Sequence, residues 1–149
     1  MNSIWSQIKR AVVVIHFTTP DEVNAFREAI MDAGLNINDC EVIAVVATKK
    51  EKELLTEISS VTYVNSKDFG ILGKMKNENF QKVLSRSFDA LFFVGDFSKR
   101  IVKNIQPLKA KIKVGINSQT SDCIVYVNTN NTSPRHLVNF AKQTLEKTI

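Results

Sequence analysis

Acid–base chemistry in this chain would depend on two residues, His16 and Asp96. His16 stands near the end of the apolar run Ala11–Phe17, and Asp96 comes shortly after the apolar run Phe88–Val94. An imidazole and a carboxylate beside one substrate can act as general acid and general base. A histidine inside an apolar run can equally be a core residue, so catalysis and packing both stay open for His16. The sequence suggests no other combination of Ser, Cys, His and Asp for nucleophilic catalysis.

A small anion is expected to bind where two predicted helices begin. Thr18 and Thr19 follow the first apolar run, and Gly95 and Ser98 follow the fourth. Free N–H groups and the helix dipole favour an anion at such positions. The hydroxyl groups add hydrogen-bond donors, and Gly95 allows close approach of the backbone. Thr19 and Ser98 would also cap their helices without any ligand, so helix capping is the alternative interpretation.

The chain carries no established phosphate-binding loop, because neither GxGxxG nor GxxxxGK[ST] occurs. The glycine pair in Gly70–Gly73 is interpreted as a turn. The tripeptide Asp68–Gly70 occurs in kinases, but no other kinase element accompanies it. The basic stretch Lys49–Lys52 follows the second strand and suits either a phosphate or a solvated face. We therefore predict no cofactor.

Metal binding is not expected either, because the ligand residues are few and scattered. Cys40 and Cys123 belong to no Cys-x-x-Cys motif, and His16 and His136 cannot complete a conventional zinc site. Each cysteine stands at the entry to an apolar run, where a free thiol behaves as a small hydrophobic group. Free cysteines are typical of a reducing compartment, so we predict a cytoplasmic protein. We interpret His136 as an exposed residue in the first turn of a helix.

Composition indicates one ordinary globular domain of 149 residues with a net charge of +5. Hydrophobic residues make up 44% and charged residues 23% of the chain, which excludes long disorder and coiled coil. No apolar run approaches the roughly 20 residues of a membrane span, and no cleavable export signal is evident. The charge is uneven: from Phe97 onward, nine basic and two acidic residues give +7. This balance suggests an anionic partner, although lysines that coat exposed faces explain it equally well.

Strands and helices are predicted to alternate along the chain. The predicted strands are Ala11–Phe17, Cys40–Ala47, Val61–Val64, Phe88–Val94, Lys111–Ile116 and Asp122–Val127. Predicted helices begin at Thr19, Asn77, Ser98 and Ser133, all residues that cap helices well. Thr19 and Glu22 match a T-x-x-E capping box, and Gly34 is a natural helix stop.

This alternation predicts an α/β fold: a three-layer sandwich with a mostly parallel, Rossmann-like sheet of about six strands and helices on both faces. We expect a single domain over residues 1–149 with strand order 3-2-1-4-5. The sixth strand would either extend the sheet beyond the fifth strand or close that edge by pairing in the antiparallel direction. In such a sheet ligands bind at the carboxyl ends of the strands, where the strand order reverses. That point lies between the first and fourth strands.

Two segments resemble a known pattern. The stretch Ser87–Asp96 and the later stretch Ala110–Gly115 resemble an uncharacterised bacterial family of Rossmann-like proteins, which shows F-D-L-L-I-D-L-S and then A-K-F-K-V-G. The resemblance covers residues 61–149 and implies the fold but no activity. The same layout is similar to the amino-terminal half of glycosyltransferases that add heptose to lipopolysaccharide. Those enzymes use a second Rossmann domain for which this chain has no room, which argues against transferase activity.

Three functions stay open. The first is a non-catalytic domain that binds a partner protein or a small anionic ligand at the carboxyl edge of the sheet. The second is an enzyme for a phosphorylated or nucleotide substrate, with His16 and Asp96 as acid and base. The third is nucleic-acid binding by the basic carboxyl-terminal third, which is disfavoured because aromatic residues are not interleaved with the lysines.

Self-association as a homodimer is a further hypothesis. Phe92, Phe93 and Phe97 would supply aromatic surface near the fourth strand, although core packing explains these rings as well. The amino-terminal segment Met1–Arg10 carries Ile4, Trp5 and Ile8 at helical spacing. We expect it to pack on its own domain or on a second copy.

Overall fold

The computed structural model describes residues 3–69, 77–120 and 122–149. The strands are β1 (Ala11–His16), β2 (Glu41–Val45), β3 (Val61–Val64), β4 (Ser87–Val94), β5 (Lys109–Ile116) and β6 (Val125–Val127). The helices are α1 (Pro20–Asp32), α2 (Lys49–Glu53), α3 (Glu78–Leu84), α4 (Lys99–Ile105) and α5 (Pro134–Glu146). Short 3-10 turns occupy Trp5–Gln7, Ile37–Asp39 and Ser66–Asp68. None of these helices is both long and apolar enough to cross a bilayer.

The six strands form one sheet in the order β3-β2-β1-β4-β5-β6. All five neighbouring pairs are parallel. The predicted α/β class and the order of the first five strands are confirmed. β1 and β4 are neighbours although α1, β2 and β3 separate them in sequence, with Ala11 opposite Ala90 and Val14 opposite Phe93. The strand order therefore reverses between β1 and β4.

The sixth strand extends the sheet, and the antiparallel alternative is wrong. Val125 pairs with Val114 and Val127 pairs with Ile116, so β6 runs parallel to β5. A parallel neighbour usually needs a long crossover, often with a helix. Here β6 is only three residues long. After Ile116 the chain therefore has to return only about 10 Å along the strand direction before β6 begins, and a short loop can cover that distance.

Both faces of the sheet are buried against helices. Val13 and Ile15 of β1 belong to the core cluster under α1 and α5. Val12 and Val14 belong to the cluster on the opposite face, which includes residues of α3 and α4. A strand covered on both sides needs apolar residues at every position, which explains why β1 is a continuous apolar run rather than an alternating one.

The amino-terminal segment packs on its own domain, which was one of its two expected positions. Ile8 is 2% exposed and lies in the core cluster beneath α1 and α5. The Ile4 backbone N–H donates to the Thr148 carbonyl oxygen at 2.7 Å. The Lys142 ammonium lies 5.7 Å from the centre of the Trp5 ring. These contacts attach the segment to α5 and the residues that follow it.

The aromatic residues of β4 are core residues. Phe92 is 5% exposed and Phe93 is 1% exposed. They lie on opposite faces of the sheet, because Phe92 belongs to the cluster with α1 and α5 and Phe93 to the cluster with α3 and α4. Core packing, one of the two explanations left open for these rings, is therefore confirmed for Phe92 and Phe93, and self-association stays a prediction. Alternation along a strand places successive side chains on opposite faces, and here both faces are covered.

Candidate functional site

A cleft lies at the carboxyl edge of the sheet, where the strand order reverses. After β1 the chain enters α1 on one face, and after β4 it enters α4 on the other. Diverging connections of this kind leave a crevice between two neighbouring strands. The crevice has a volume of about 250 Å³. We call it the switch cleft; its walls are His16, Phe17, Val45, Val46, Ala47, Asn65, Ser66, Phe97, Ser98 and Ile101.

His16 forms one wall of the switch cleft together with Phe97. The two rings stack with centroids 4.1 Å apart and planes inclined by 10°. The Nε2 atom of His16 lies 2.5 Å from the main-chain carbonyl oxygen of Asp96. A carbonyl oxygen can only accept a hydrogen bond, so Nε2 carries the proton. In the neutral ring, Nδ1 is then the nitrogen with a free lone pair.

Gly95 makes this contact possible. Its φ of +87° lies in the left-handed region, which glycine adopts without a steric penalty. Its N–H donates to the Ile116 carbonyl oxygen at 2.9 Å, which ties the end of β4 to β5. A Cβ atom built at Gly95 would lie 3.5 Å from His16 Cδ2, an ordinary contact distance. The glycine is thus needed for the turn of the backbone rather than for space.

The carboxylate of Asp96 serves a different contact from its carbonyl group. Its Oδ1 accepts a hydrogen bond from the Gln119 backbone N–H at 2.7 Å. Asp96 thereby attaches the loop after β5 to the end of β4. No hydrogen bond joins the His16 and Asp96 side chains, both of which lie in the described part of the chain. The structure brings the two residues together through the main chain and does not assemble them as an acid–base pair.

The threonines before α1 stabilise the start of that helix. The Thr19 hydroxyl accepts from the Glu22 N–H at 3.2 Å, as expected for a cap. The second half of the expected capping box is absent, because the Glu22 carboxylate accepts from the Thr18 hydroxyl at 2.8 Å instead. Asp21 and Glu22 also place two negative charges in the first turn. These charges offset the helix dipole, so the start of α1 is a poor position for an anion.

The loop before α4 has the opposite electrostatic character. The Ser98 hydroxyl caps α4 by accepting from the Ile101 N–H at 3.3 Å. The first turn of α4 contains no acidic residue and begins with Lys99 and Arg100. The Arg100 guanidinium donates to the Phe69 carbonyl oxygen. Of the two loops named from the sequence, the one that contains Ser98 is therefore the positive side of the cleft.

Sequence reasoning missed Asn65, which forms the floor of the switch cleft. Asn65 follows β3 and is 2% exposed. Its Nδ2 donates to the Val46 carbonyl oxygen at 2.7 Å, and its Oδ1 accepts from the Lys67 N–H at 3.0 Å. All of these bonds are internal, so the floor is rigid. The position of Asn65 at the carboxyl end of a strand was the available signal.

A buried polar network stands behind this floor. Asp68 is 5% exposed, and its Oδ2 accepts from the Asn65 N–H at 2.9 Å and from Asn77 Nδ2 at 3.1 Å. Its Oδ1 pairs with the Lys52 ammonium at 3.1 Å. Lys52 therefore neutralises a buried carboxylate within its own fold and is not available to a phosphate. The glycine pair Gly70–Gly73 lies outside the described residues.

The remaining candidates do not contribute to the switch cleft. His136 is half-buried rather than exposed, because its Nε2 lies 3.0 Å from the Thr129 hydroxyl and its ring packs near Phe140. Burial raises the pKa of the Cys40 thiol and of the Cys123 thiol, so neither is activated as a nucleophile. Asp89, the acidic residue within β4, lies near the amino end of that strand, away from the switch cleft, and its carboxylate accepts from the Lys9 N–H at 2.8 Å. Among the described residues no three His, Cys, Asp or Glu side chains are grouped as metal ligands.

Comparison with known families identifies the chain at the level of a family. Residues 1–146 match a family described as "Family of unknown function (DUF6913)". The chain belongs to this family. The match extends the sequence-based resemblance from the second half of the chain to nearly its whole length. No curated protein matches the chain.

Solved structures support the fold of this DUF6913 member. A glycosyl transferase family 9 protein from Veillonella parvula superposes with a TM-score of 0.56 at 16% identity, over 91% of this chain and 41% of that chain. The E. coli heptosyltransferase WaaC with ADP-2-deoxy-2-fluoro heptose gives a TM-score of 0.44 at 16% identity, over 89% of this chain and 47% of that chain. The chain thus spans less than half the length of either structure. The Veillonella structure confirms the expected similarity of fold to part of a glycosyltransferase.

Proposed function

We propose that this chain is a binding domain that holds a small anionic ligand in the switch cleft without transforming it. The observation that carries the proposal is the cleft itself, which opens over the carboxyl ends of β1, β2 and β3 beside the loop that leads into α4. None of its described wall residues is acidic. An anion would therefore meet no repelling carboxylate within the cleft.

The polar groups of the cleft suit an anion that carries a flat or apolar part. The Ser98 oxygen accepts from Ile101, which leaves the hydroxyl hydrogen free to donate. The loop that contains Ser98 leads into Lys99 and Arg100, which makes this side of the cleft positive. Nδ1 of His16 can accept a hydrogen bond from a donor group of the ligand. The stacked rings of His16 and Phe97 offer an apolar wall.

The positions of the candidate acid and base favour binding over catalysis. General acid–base catalysis needs both groups within hydrogen-bond reach of one substrate. Asp96 is engaged by the Gln119 N–H through Oδ1, whereas His16 is engaged by the Asp96 main chain. A substrate in the cleft would contact the imidazole without the carboxylate as its partner.

The test uses the two histidines as a matched pair. We expect citrate and ADP, added to the isotopically labelled chain, to shift the backbone NMR signals of Ala47 and Ser66. In His16→Phe the stacked ring is retained but both nitrogens are lost, and the shifts should disappear. In His136→Phe, which changes the other histidine, they should remain. Loss of the shifts in both variants, or in neither, contradicts the proposal.

An enzyme for a phosphorylated or nucleotide substrate is the second candidate. Its supporting observation is that His16 and Asp96 lie at the same edge and are joined by one hydrogen bond. Rotation of the Asp96 side chain away from Gln119 would free its carboxylate. Incubation of the chain with a nucleotide sugar decides between the two candidate functions. Release of the nucleoside diphosphate by the unchanged chain, together with no release by His16→Phe or by Asp96→Asn, supports the enzyme and overturns the binding role.

A further inference from the structure

A second concave surface lies on the other side of Phe97 from the switch cleft. It is a groove of about 340 Å³ between α4 and the loop that follows β5. Phe97 contributes to both surfaces and separates them. We call this surface the lysine groove; its principal residues are Asp96, Phe97, Lys99, Lys103, Gln119 and Thr120.

The positive charge of the lysine groove is not neutralised. Lys99 and Lys103 are exposed and stand four positions apart on α4, so they share one face of the helix. Neither ammonium forms an ion pair with any residue in the described part of the chain. Like charges at this spacing repel each other slightly. An anion between them would remove that repulsion and bind both.

The wall opposite these lysines is held in place by its own hydrogen bonds. The Thr120 carbonyl oxygen accepts from the Tyr126 hydroxyl at 2.6 Å. The hydroxyls of Ser118 and Thr120 are 2.8 Å apart. The Gln119 N–H is held by the Asp96 carboxylate. A wall that is ordered before binding loses little conformational freedom on binding, which favours affinity.

Tyr126 can reach this wall because residue 115 is glycine. A Cβ atom built at Gly115 would lie 3.0 Å from Tyr126 Cδ1 and 3.3 Å from the Ser118 carbonyl oxygen. Those distances are tighter than ordinary contacts. The Tyr126 ring therefore lies against the backbone of Gly115 in the neighbouring strand β5. Its hydroxyl group reaches the Thr120 carbonyl oxygen.

The mixture of groups in the lysine groove narrows the class of ligand. Two ammonium groups suit one phosphoryl group. The Asp96 carboxylate disfavours a long polyanion but can accept hydrogen bonds from hydroxyl groups. The Gln119 amide can accept and donate to the same hydroxyls, and the Phe97 ring offers an apolar surface. We infer that the lysine groove binds a small sugar or polyol that carries a single phosphoryl group.

The experiment titrates the full isotopically labelled chain with glucose 6-phosphate and follows the backbone NMR signals. Signals of Lys99, Lys103, Gln119 and Thr120 should shift, and the shifts should weaken as salt is raised from low to moderate concentration. The double variant Lys99→Gln/Lys103→Gln should bind at least about tenfold more weakly, because two charge-assisted hydrogen bonds are lost.

The control variant is Lys109→Gln/Lys111→Gln, which removes the same charge from two exposed lysines of β5. It should bind glucose 6-phosphate within about twofold of the unchanged chain, since Coulomb effects of exposed groups are screened by salt. An equal loss in the two double variants would show a response to net charge alone and overturn the inference. Binding of inorganic phosphate as tight as that of glucose 6-phosphate would also overturn it.

Two further measurements distinguish the lysine groove from the switch cleft and from a nucleic-acid surface. The backbone signals of Ala47 and Ser66, which line the switch cleft and not the lysine groove, should not shift in this titration. Shifts there in place of those at Gln119 and Thr120 would assign the ligand to the switch cleft instead. A single-stranded DNA oligonucleotide should compete poorly. Tighter binding of the oligonucleotide than of glucose 6-phosphate would identify a nucleic-acid surface and exclude the sugar phosphate.

Discussion

Nε2 of His16 and the main-chain oxygen of Asp96, 2.5 Å apart, join the ends of β1 and β4. The two residues are 80 positions apart in the chain. The bond turns the imidazole so that it stacks on Phe97 at 4.1 Å. One contact thus orients the ring, sets its protonated nitrogen and positions the aromatic residue that separates the switch cleft from the lysine groove.

The first prediction concerns the tautomer of His16. In the neutral ring the proton should reside on Nε2, because the carbonyl oxygen opposite can only accept. Long-range nitrogen–proton NMR spectra at neutral or higher pH distinguish the two tautomers. His136 is the internal comparison: its Nε2 faces a hydroxyl group, which can donate or accept, so no single tautomer is imposed. A proton on Nδ1 of neutral His16 would contradict the hydrogen bond to Asp96.

The second prediction concerns the bond between Asp96 and Gln119. Asp96→Ala removes the acceptor of the Gln119 N–H, so that amide should exchange its hydrogen faster and the protein should lose about 1 kcal/mol of unfolding free energy. Asp96→Asn retains an oxygen at the same position and should have a smaller effect on both quantities. Hydrogen exchange and urea denaturation measure them. Unchanged exchange at Gln119 in the alanine variant would contradict the role given to the carboxylate.

The third prediction compares two glycines with positive φ. Gly95 has a φ of +87° and Gly34 a φ of +95°. A Cβ atom would meet only ordinary contacts at Gly95 and no atom within 4 Å at Gly34. Alanine at either position should therefore cost about 1 kcal/mol of stability, from backbone strain alone.

Thermal or urea denaturation of Gly95→Ala and Gly34→Ala provides the comparison. The two losses should agree to within about 0.5 kcal/mol, since independent surface turns share the same strain mechanism. A much larger loss for Gly95→Ala would mean that the His16 ring cannot accept the added methyl group.

The fourth prediction concerns pH and Glu41, which is 5% exposed. Burial raises the pKa of this carboxyl group above its ordinary value of 4.5, although the Thr62 hydroxyl at 2.7 Å and the Arg86 guanidinium at 3.4 Å act in the opposite direction. A raised pKa means that the folded state favours the protonated acid. The stability linked to this group is thus fully present below pH 4.5 and is lost as the pH rises through the folded-state pKa.

Glu41→Gln is the reference for this effect, because glutamine does not titrate and keeps an oxygen for Thr62. The unfolding free energy of the unchanged chain, relative to that of Glu41→Gln, should decrease as the pH is raised from about 4 toward about 7, the window that starts near the ordinary carboxyl pKa. Urea denaturation at several pH values measures the difference. A constant difference would mean that Thr62 and Arg86 balance burial, and a difference that increases with pH would mean that they outweigh it; either result contradicts the prediction.

Much of the fold was predictable because it depends on local sequence patterns. β1 is apolar from Ala11 to Ile15 and β2 from Val42 to Val45, a pattern that only strands covered on both faces need. Ser98 and Ser133 cap their helices, as their positions before helical stripes indicated. The neighbouring positions of β1 and β4 followed from the standard crossover rules.

Details that depend on which of several possible partners a side chain contacts were not predictable in the same way. The capping box at Thr19 is only half formed, since the Thr18 hydroxyl competes for the Glu22 carboxylate. The orientation of β6 followed from its short length, which allowed a parallel return without a helix. His136 is half-buried because Thr129 and Phe140 lie against its ring.

The amino-acid sequence alone determined that His16, Gly95, Asp96 and Ser98 lie at one edge of a parallel sheet, because burial patterns and helix caps are properties of neighbouring residues. The tertiary structure decided which atoms of these residues face each other. It turned the carboxylate of Asp96 toward Gln119 and its carbonyl toward His16. The direction of a side chain at a strand end depends on partners far away in the chain, and no local pattern encodes those partners.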